Sequence, residues 1–176
     1  MKIKIRVATP LDASEICAIY NPYVKYTAVT FEESPVSVEE MANRIKSKLE
    51  THTWLVAEDE LTETILGYAY AGTWRERQAY RHTAEVTVYV KEGSHGNGIG
   101  KILYRELIDK VKEQGYQVLV AGIALPNEKS IGVHEAMGFK KVAHFSNVGY
   151  KFKKWMDIGF WECQLTSNNK TKNENR

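Results

Sequence analysis

The sequence has little that would anchor, cross-link or metallate the chain. It carries two cysteines, Cys17 and Cys163. They lie far apart and in no metal-ligand spacing, which points to two free thiols in a reducing cytosol and to no metal site. No apolar run approaches the ~20 residues that cross a bilayer. The opening stretch, Met1 to Pro10, alternates instead of building the apolar core of a signal peptide. A cytoplasmic location with no membrane partner is therefore expected. The formal charge is only +2, and no dense Lys/Arg run precedes the tail, so no nucleic-acid partner is expected either. The basic stretch Lys151 to Lys154 reads as strand punctuation. No internal repeat is visible.

What is present is ordinary for one globular domain: 176 residues, 43% hydrophobic and 26% charged, enough to bury a sizeable core. The reading is a single domain over residues 1–165, followed by a disordered polar tail over 166–176, rich in Ser, Asn, Lys and Glu.

Periodicity gives the order of elements. Ile3, Ile5 and Val7 alternate with Lys4 and Arg6 as in a half-buried strand. Thr9, Pro10 and Asp12 form a helix start. That helix should run to about Tyr20 and break at Asn21-Pro22, leaving Tyr23 to Pro35 as a packed loop. Ser37 with Glu40 opens a second helix, whose face is Met41, Ile45 and Leu49. Three strands follow: Thr53 to Ala57, Ile65 to Trp74 and Thr83 to Val90. After a glycine-rich turn, Ile102 to Val111 is an amphipathic helix closed near Gly115. Val118 to Ala124 is a fully apolar strand. Asn127 to Met137 is a short helix, and Lys141 to Phe145 and Gly159 to Leu165 are two final strands. This is a mixed α/β sheet without the regular alternation of a doubly wound fold.

The turn His95-Gly96-Asn97-Gly98-Ile99-Gly100, between a strand and a helix, lets backbone amides and a helix N-terminus approach a phosphate. It lies too late in the chain for a first βαβ dinucleotide unit. Gly100-Lys101 is followed by Ile102 where a Walker-type loop needs Ser or Thr. On its own the spacing also permits a turn with no ligand.

The turn resembles the Gln/Arg-x-x-Gly-x-Gly signature of the GNAT superfamily of N-acetyltransferases, with His95 where that signature has Arg or Gln. A second signature, N-x-x-S-x-x-x-[Y/H]-x-x-x-G-F, is matched by Asn127, Ser130, His134, Gly138 and Phe139. Segments beginning at Thr30 (TFEESP), Thr73 (TWRERQAYRHTAEVTVYV), Val133 (VHEAMGF) and Gly149 (GYKFKKWMDIGFWE) are similar to the phosphinothricin acetyltransferase subfamily. The resemblance covers roughly Ile3 to Leu165. It implies a GNAT fold with a mostly antiparallel mixed sheet, acetyl-CoA as acetyl donor, a small amino-acid-like amine as acceptor, and a homodimer. Acceptors of this class are phosphinothricin, methionine sulfoximine and methionine sulfone. The aromatic content of residues 149–162 suits such an interface.

Carried over residue by residue, the resemblance places coenzyme A on Val88, Tyr89 and Val90, on His95, Gly96, Asn97, Gly98, Ile99, Gly100 and Lys101, and on Asn127 and Ser130. It assigns Glu85 as the base that frees the amine and His134 as the proton donor to the departing thiolate. Spacing alone leaves Glu85 as either a base or a strand carboxylate paired with Arg81 or His82, and leaves His134 as either an acid or a capped helical residue. Arg75 and Arg77, at i and i+2, share a face if the strand still runs there. With Phe31 they would contact an acidic substrate through guanidinium forks; a charged turn is the alternative. His52, His82 and His144 carry no pattern and read as surface residues. Two other functions fit the same motifs: acetylation of a protein amine, and a non-catalytic acetyl-CoA-binding module.

Overall fold

The computed structural model describes residues 2–165; the tail expected over 166–176 lies outside them. One seven-stranded sheet has the order β1-β2-β3-β4-β5-β7-β6. Its strands are β1 (Ile3–Val7), β2 (Trp54–Asp59), β3 (Ile65–Thr73), β4 (Thr83–Val90), β5 (Val118–Leu125), β6 (Lys140–Lys151) and β7 (Lys154–Gln164). Every neighbouring pair is antiparallel except β4–β5, which is parallel. The helices are α1 (Ala13–Tyr26), α2 (Val38–Leu49), α3 (Ile99–Glu113) and α4 (Glu128–Ala136). The mixed, mostly antiparallel sheet is the one the sequence predicts.

Strand alternation divides the core in two. Leu55, Ala57, Ala69, Ala71, Ala84 and Val86 face α3, whose Leu103, Tyr104, Leu107 and Val111 are fully buried against them. Trp54, Val56 and Tyr68 face α1 and α2, packing on Ile16, Tyr20, Val24, Met41 and Ile45. Each fully buried aliphatic side chain contributes about 1.5–3 kcal/mol through the hydrophobic effect. The helices start where their caps predict. Asp12 accepts a 2.7 Å hydrogen bond from the Thr9 amide, and Ser37 Oγ accepts one of 3.1 Å from Glu40 N–H.

Two elements differ from expectation. α1 does not break at Pro22 but runs on to Tyr26. An interior proline disfavours helix by about 3 kcal/mol, yet tertiary contacts hold the last turns. Val24 is buried. The Asn21 amide both donates to Val36 O at 3.0 Å and accepts from Val36 N–H at 2.9 Å. Thr27 Oγ1 closes the end on Tyr23 O at 2.8 Å. The extension carries Tyr23 to the end of β4, where its hydroxyl donates to Val90 O.

The second difference is the last hairpin, which is far longer than the two short strands expected. β6 and β7 meet at a two-residue turn, Phe152-Lys153, with both residues left-handed (φ 51° and 60°), as a type I′ turn requires. Neither residue is a usual turn former, so the sequence hides the turn. Phe145, Tyr150, Phe152 and Trp155 remain exposed along this hairpin.

The sheet contains one opening. β4 and β5 are in register only from Thr83↔Val118 to Glu85↔Val120. Beyond Glu85 the two strands diverge, and residues 86–90 stay paired to β3 alone. The opening lies beside the N-termini of α3 and α4.

Candidate active site

The glycine turn has the backbone that its composition implies. Gly96 and Gly98 have φ of 86° and 75°, a left-handed region that L side chains rarely adopt. Gly98 caps α3, and the first turn closes with Ile102 N–H donating to Gly98 O at 3.0 Å. The amides of Ile99, Gly100 and Lys101 precede that first bond, so they point out of the helix end, where the dipole is positive. The Ile99 side chain is buried in the core, so only its amide faces the turn. His95 and Lys101 are exposed, and His95 Nε2 lies 3.3 Å from the Tyr23 hydroxyl. A cleft of about 270 Å³ runs from this turn along the free edge of β4, bounded by Val88, Val90, His95, Gly100, Asn127 and Ser130. The Tyr89 ring packs edge-on against Tyr20 at 5.0 Å, leaving the backbone of residue 89 as its contribution to the strand edge. Asn127 caps α4 by accepting from Ser130 N–H at 3.2 Å.

The cleft narrows inward to a cavity of about 80 Å³ between the diverging strands, lined by Thr87, Gly122, Tyr104 and His134. His134 is buried. Its Nδ1 lies 2.7 Å from the Ser130 carbonyl oxygen, which can only accept, so Nδ1 carries a proton. Nε2 lies 2.7 Å from the Tyr104 hydroxyl and, in the neutral ring, accepts from it. Burial lowers the His134 pKa, and the Ser130 carbonyl opposes this only in part. The neutral ring is therefore the resting form, and the Tyr104 hydroxyl, which also lines the cavity, rests on its Nε2. Burial raises the Tyr104 pKa far above its ordinary value, so the phenol keeps its proton. Tyr104 belongs to no sequence motif. The available signal was a tyrosine on the apolar face of α3, beside Leu103 and Leu107, whose hydroxyl needs a buried partner.

Glu85 occupies the last residue of β4 that still pairs with β5. Its carboxylate reaches toward Gly122, where a Cβ would stand 3.6 Å from Oε1. Gly122 also lines the cavity of His134 and Tyr104, so the Glu85 carboxylate lies beside one of its walls. No side chain among the described residues bonds to it. Arg81 donates to Gln78 O at 3.2 Å, and His82 Nδ1 lies 3.3 Å from Gly115 O. The strand carboxylate paired with either residue is therefore not found. Burial raises the Glu85 pKa, while the positive charges of Lys48 and Arg75 pull it back.

The acceptor side is built differently from the strand geometry that the sequence suggested. β3 ends at Thr73, so Arg75 and Arg77 are not strand neighbours. Arg75 lies over the Trp74 ring at 5.0 Å, and Arg77 caps a single 3₁₀ turn over Gln78–Tyr80. Both border an open hollow of about 200 Å³ beside Arg81 and Tyr80. Phe31 lies against Gly149 of the last hairpin, where any Cβ would overlap its ring. Lys151, also on that hairpin and only 2% exposed, donates to Thr30 O at 2.7 Å and pins the loop that carries Phe31. Trp74 and Phe145 both meet Phe160 edge-on, at 5.5 and 5.6 Å. His52 is half-buried instead of free on the surface; it stacks on Tyr116 at 5.9 Å. His144 pairs with Asp157 at 2.7 Å.

Residues 5–159 match the family described as Acetyltransferase (GNAT) domain. The chain belongs to the GNAT acetyltransferase family. Among its relatives, the phosphinothricin N-acetyltransferase of Streptomyces viridochromogenes is 38% identical, over 91% of this chain and 86% of that protein. The L-methionine sulfoximine/L-methionine sulfone acetyltransferase of Pseudomonas aeruginosa is also 38% identical, over 94% and 96%. The crystal structure of a GNAT superfamily phosphinothricin acetyltransferase from Sinorhizobium meliloti, in complex with acetyl-CoA, superposes with a TM-score of 0.89 at 34% identity, covering 94% of this chain and 89% of that one. As a GNAT enzyme the protein is an acyltransferase, and its cleft and cavity share the lining of Val88, Tyr89, Asn127 and Ser130. A strand edge with unpaired amides, a helix N-terminus and glycines in left-handed backbone are what a long, phosphorylated thioester arm requires.

Proposed function

We propose that the protein transfers the acetyl group of acetyl-CoA to the α-amine of a small amino acid of the phosphinothricin, methionine sulfoximine or methionine sulfone type. The observation that carries this reading is the unpaired, partly buried Glu85 carboxylate, which reaches Gly122 in the wall of the β4–β5 cavity that Tyr104 and His134 also line. In this reading, amides of the Gly96–Lys101 turn and the α3 N-terminus hold the pyrophosphate of the donor. The edge of Val88 to Val90, with Asn127 and Ser130, holds its pantetheine arm. The bound donor supplies an activated acetyl group.

Glu85 takes a proton from the ammonium form of the acceptor. A carboxylate with a raised pKa is a better match for this task than an ordinary one. The Tyr104 hydroxyl, held in place by His134 Nε2, turns to the departing sulfur and stabilises it by donating a hydrogen bond, and the released thiolate takes its proton from solvent. Phe31, Arg75 and Arg77 border the acceptor. The exposed aromatic residues of the β6–β7 hairpin support a homodimer. No helix among the described residues is long and apolar enough to cross a membrane, and a cytoplasmic location is part of the proposal.

Thiol release from acetyl-CoA tests the function. The acceptor panel comprises phosphinothricin, methionine sulfoximine, methionine sulfone and the common amino acids. Turnover is expected with members of the first three. Release of thiol only with a lysine-containing peptide, or with none of these, would overturn the reading.

A further inference from the structure

A second cavity, of about 520 Å³, lies beneath α2, outside the cleft between β4 and β5. Its floor is aromatic: Trp54 stacks on Tyr70 at 4.4 Å, and Tyr70 on Tyr68 at 6.4 Å. Two cations of α2 form its roof, and they differ in one respect. Arg44 is paired with two carboxylates, donating to Glu32 at 2.7 Å and to Glu40 at 2.8 Å. Lys48 forms no ion pair and no hydrogen bond among the described residues. It rests over the Tyr70 ring, 5.6 Å from the centroid, and over Gly72, where an added Cβ would collide with its Nζ.

Gly72 is the β3 partner of Glu85, and directly opposed residues place their side chains on one face. The Lys48 ammonium therefore stands on the same face as the Glu85 carboxylate. The Lys48 charge is close enough to pull the Glu85 pKa down, yet the two make no ion pair. A half-buried cation and a half-buried carboxylate that face one space without closing on each other leave both unsatisfied. An α-amino acid satisfies both, because its ammonium and carboxylate are attached to one carbon.

We propose that Lys48 binds the α-carboxylate of the acceptor and that the cavity beneath α2 houses the side chain on its α-carbon. The inference rests on the amino-acid acetyltransferase reading above. Glycine at position 72 is then a specificity feature, because it is the gap that lets the ammonium lie flat on the sheet.

The test compares methionine sulfone with its methyl ester, which keeps the amine and side chain but removes the carboxylate charge. The wild-type enzyme is expected to favour the free acid. Lys48→Met should raise the KM for the acid about 10-fold or more, the scale of one charge-assisted hydrogen bond. The KM values for the ester and for acetyl-CoA should stay unchanged. Gly72→Ala, which displaces the ammonium without removing it, should move the acid in the same direction by less. Lys46→Met, an exposed lysine of the same helix, should change nothing. Equal shifts for acid and ester would show that Lys48 acts only through the Glu85 charge and would overturn the inference, as would no shift for either. A wild-type enzyme that acetylates neither compound would overturn the parent reading and this inference with it. A protein that turns over both but ignores Lys48 refutes this inference alone.

Discussion

Removing the Tyr104 hydroxyl is the sharpest perturbation of the donor side. Tyr104→Phe keeps a ring stacked 6.0 Å from Phe139 and edge-on to His134 at 4.9 Å, so packing should be nearly unchanged. What is lost is the 2.7 Å bond to His134 Nε2. His134 cannot compensate by switching tautomer, because its Nδ1 proton is committed to the Ser130 carbonyl. A buried acceptor is left without a donor, at about 1–3 kcal/mol. For a domain of this length that corresponds to a fall in Tm of very roughly 2–4 °C per kcal/mol.

The turnover effect is separable from this stability effect. If the hydroxyl stabilises the departing thiolate by this hydrogen bond, kcat should fall by about 10-fold or more, with acetyl-CoA affinity little changed. His134→Ala should lose turnover to a similar extent, and the double variant should lose scarcely more than either single one, because the two side chains act as a unit. Stopped-flow thiol release and a thermal melt on the same samples measure both quantities. A Tyr104→Phe enzyme that melts lower but keeps wild-type kcat would refute the catalytic part. Strictly additive losses in kcat would refute the coupling.

Gly98→Val should weaken acetyl-CoA binding by calorimetry while leaving the melting temperature within a few degrees, because the surroundings of Gly98 are open and the strain falls on the left-handed backbone. Trp155→Ser, on the exposed face of the β6–β7 hairpin, should convert the proposed homodimer to monomer by light scattering. Stability should fall with acid. The folded pKa of His134 is lowered, so its contribution is fully present above the ordinary histidine pKa and is lost as pH falls through that value toward the folded one. Denaturant midpoints measured from pH 7.5 to 5 report the loss, and His134→Gln should flatten it.

Much of the fold was legible because its signals are local. The caps at Thr9 and Ser37, the alternation of β1 and the apolar run of β5 each announce one element. The length of α1 was not legible, because the contacts that hold its last turns past Pro22 come from Val36 and Val90, remote in sequence. The Phe152-Lys153 turn was missed for a related reason: two non-glycine residues take left-handed conformations with no compositional cue. The same division applies to the candidate site. The glycine turn and the Asn127–His134 helix are sequence motifs. Lys48, Tyr104 and Lys151 gain their positions from sheet register and helix packing, and nothing in their own neighbourhoods marks them. The i, i+2 spacing of Arg75 and Arg77 suggested a shared strand face that the end of β3 at Thr73 removes.

The central claim is that Glu85 accepts the amine proton, and the pH–rate profile of Glu85→Gln tests it most directly. Glu85 is half-buried, with a pKa raised by burial, so wild-type kcat/KM should rise with pH as the carboxylate loses its proton and then level off. The variant should lose about 10²-fold or more in turnover at pH 7 and retain its affinity for acetyl-CoA. The deficit should shrink at high pH, where the amine is already neutral. A Glu85→Gln enzyme with wild-type turnover at pH 7, or a deficit that does not change with pH, would contradict the account.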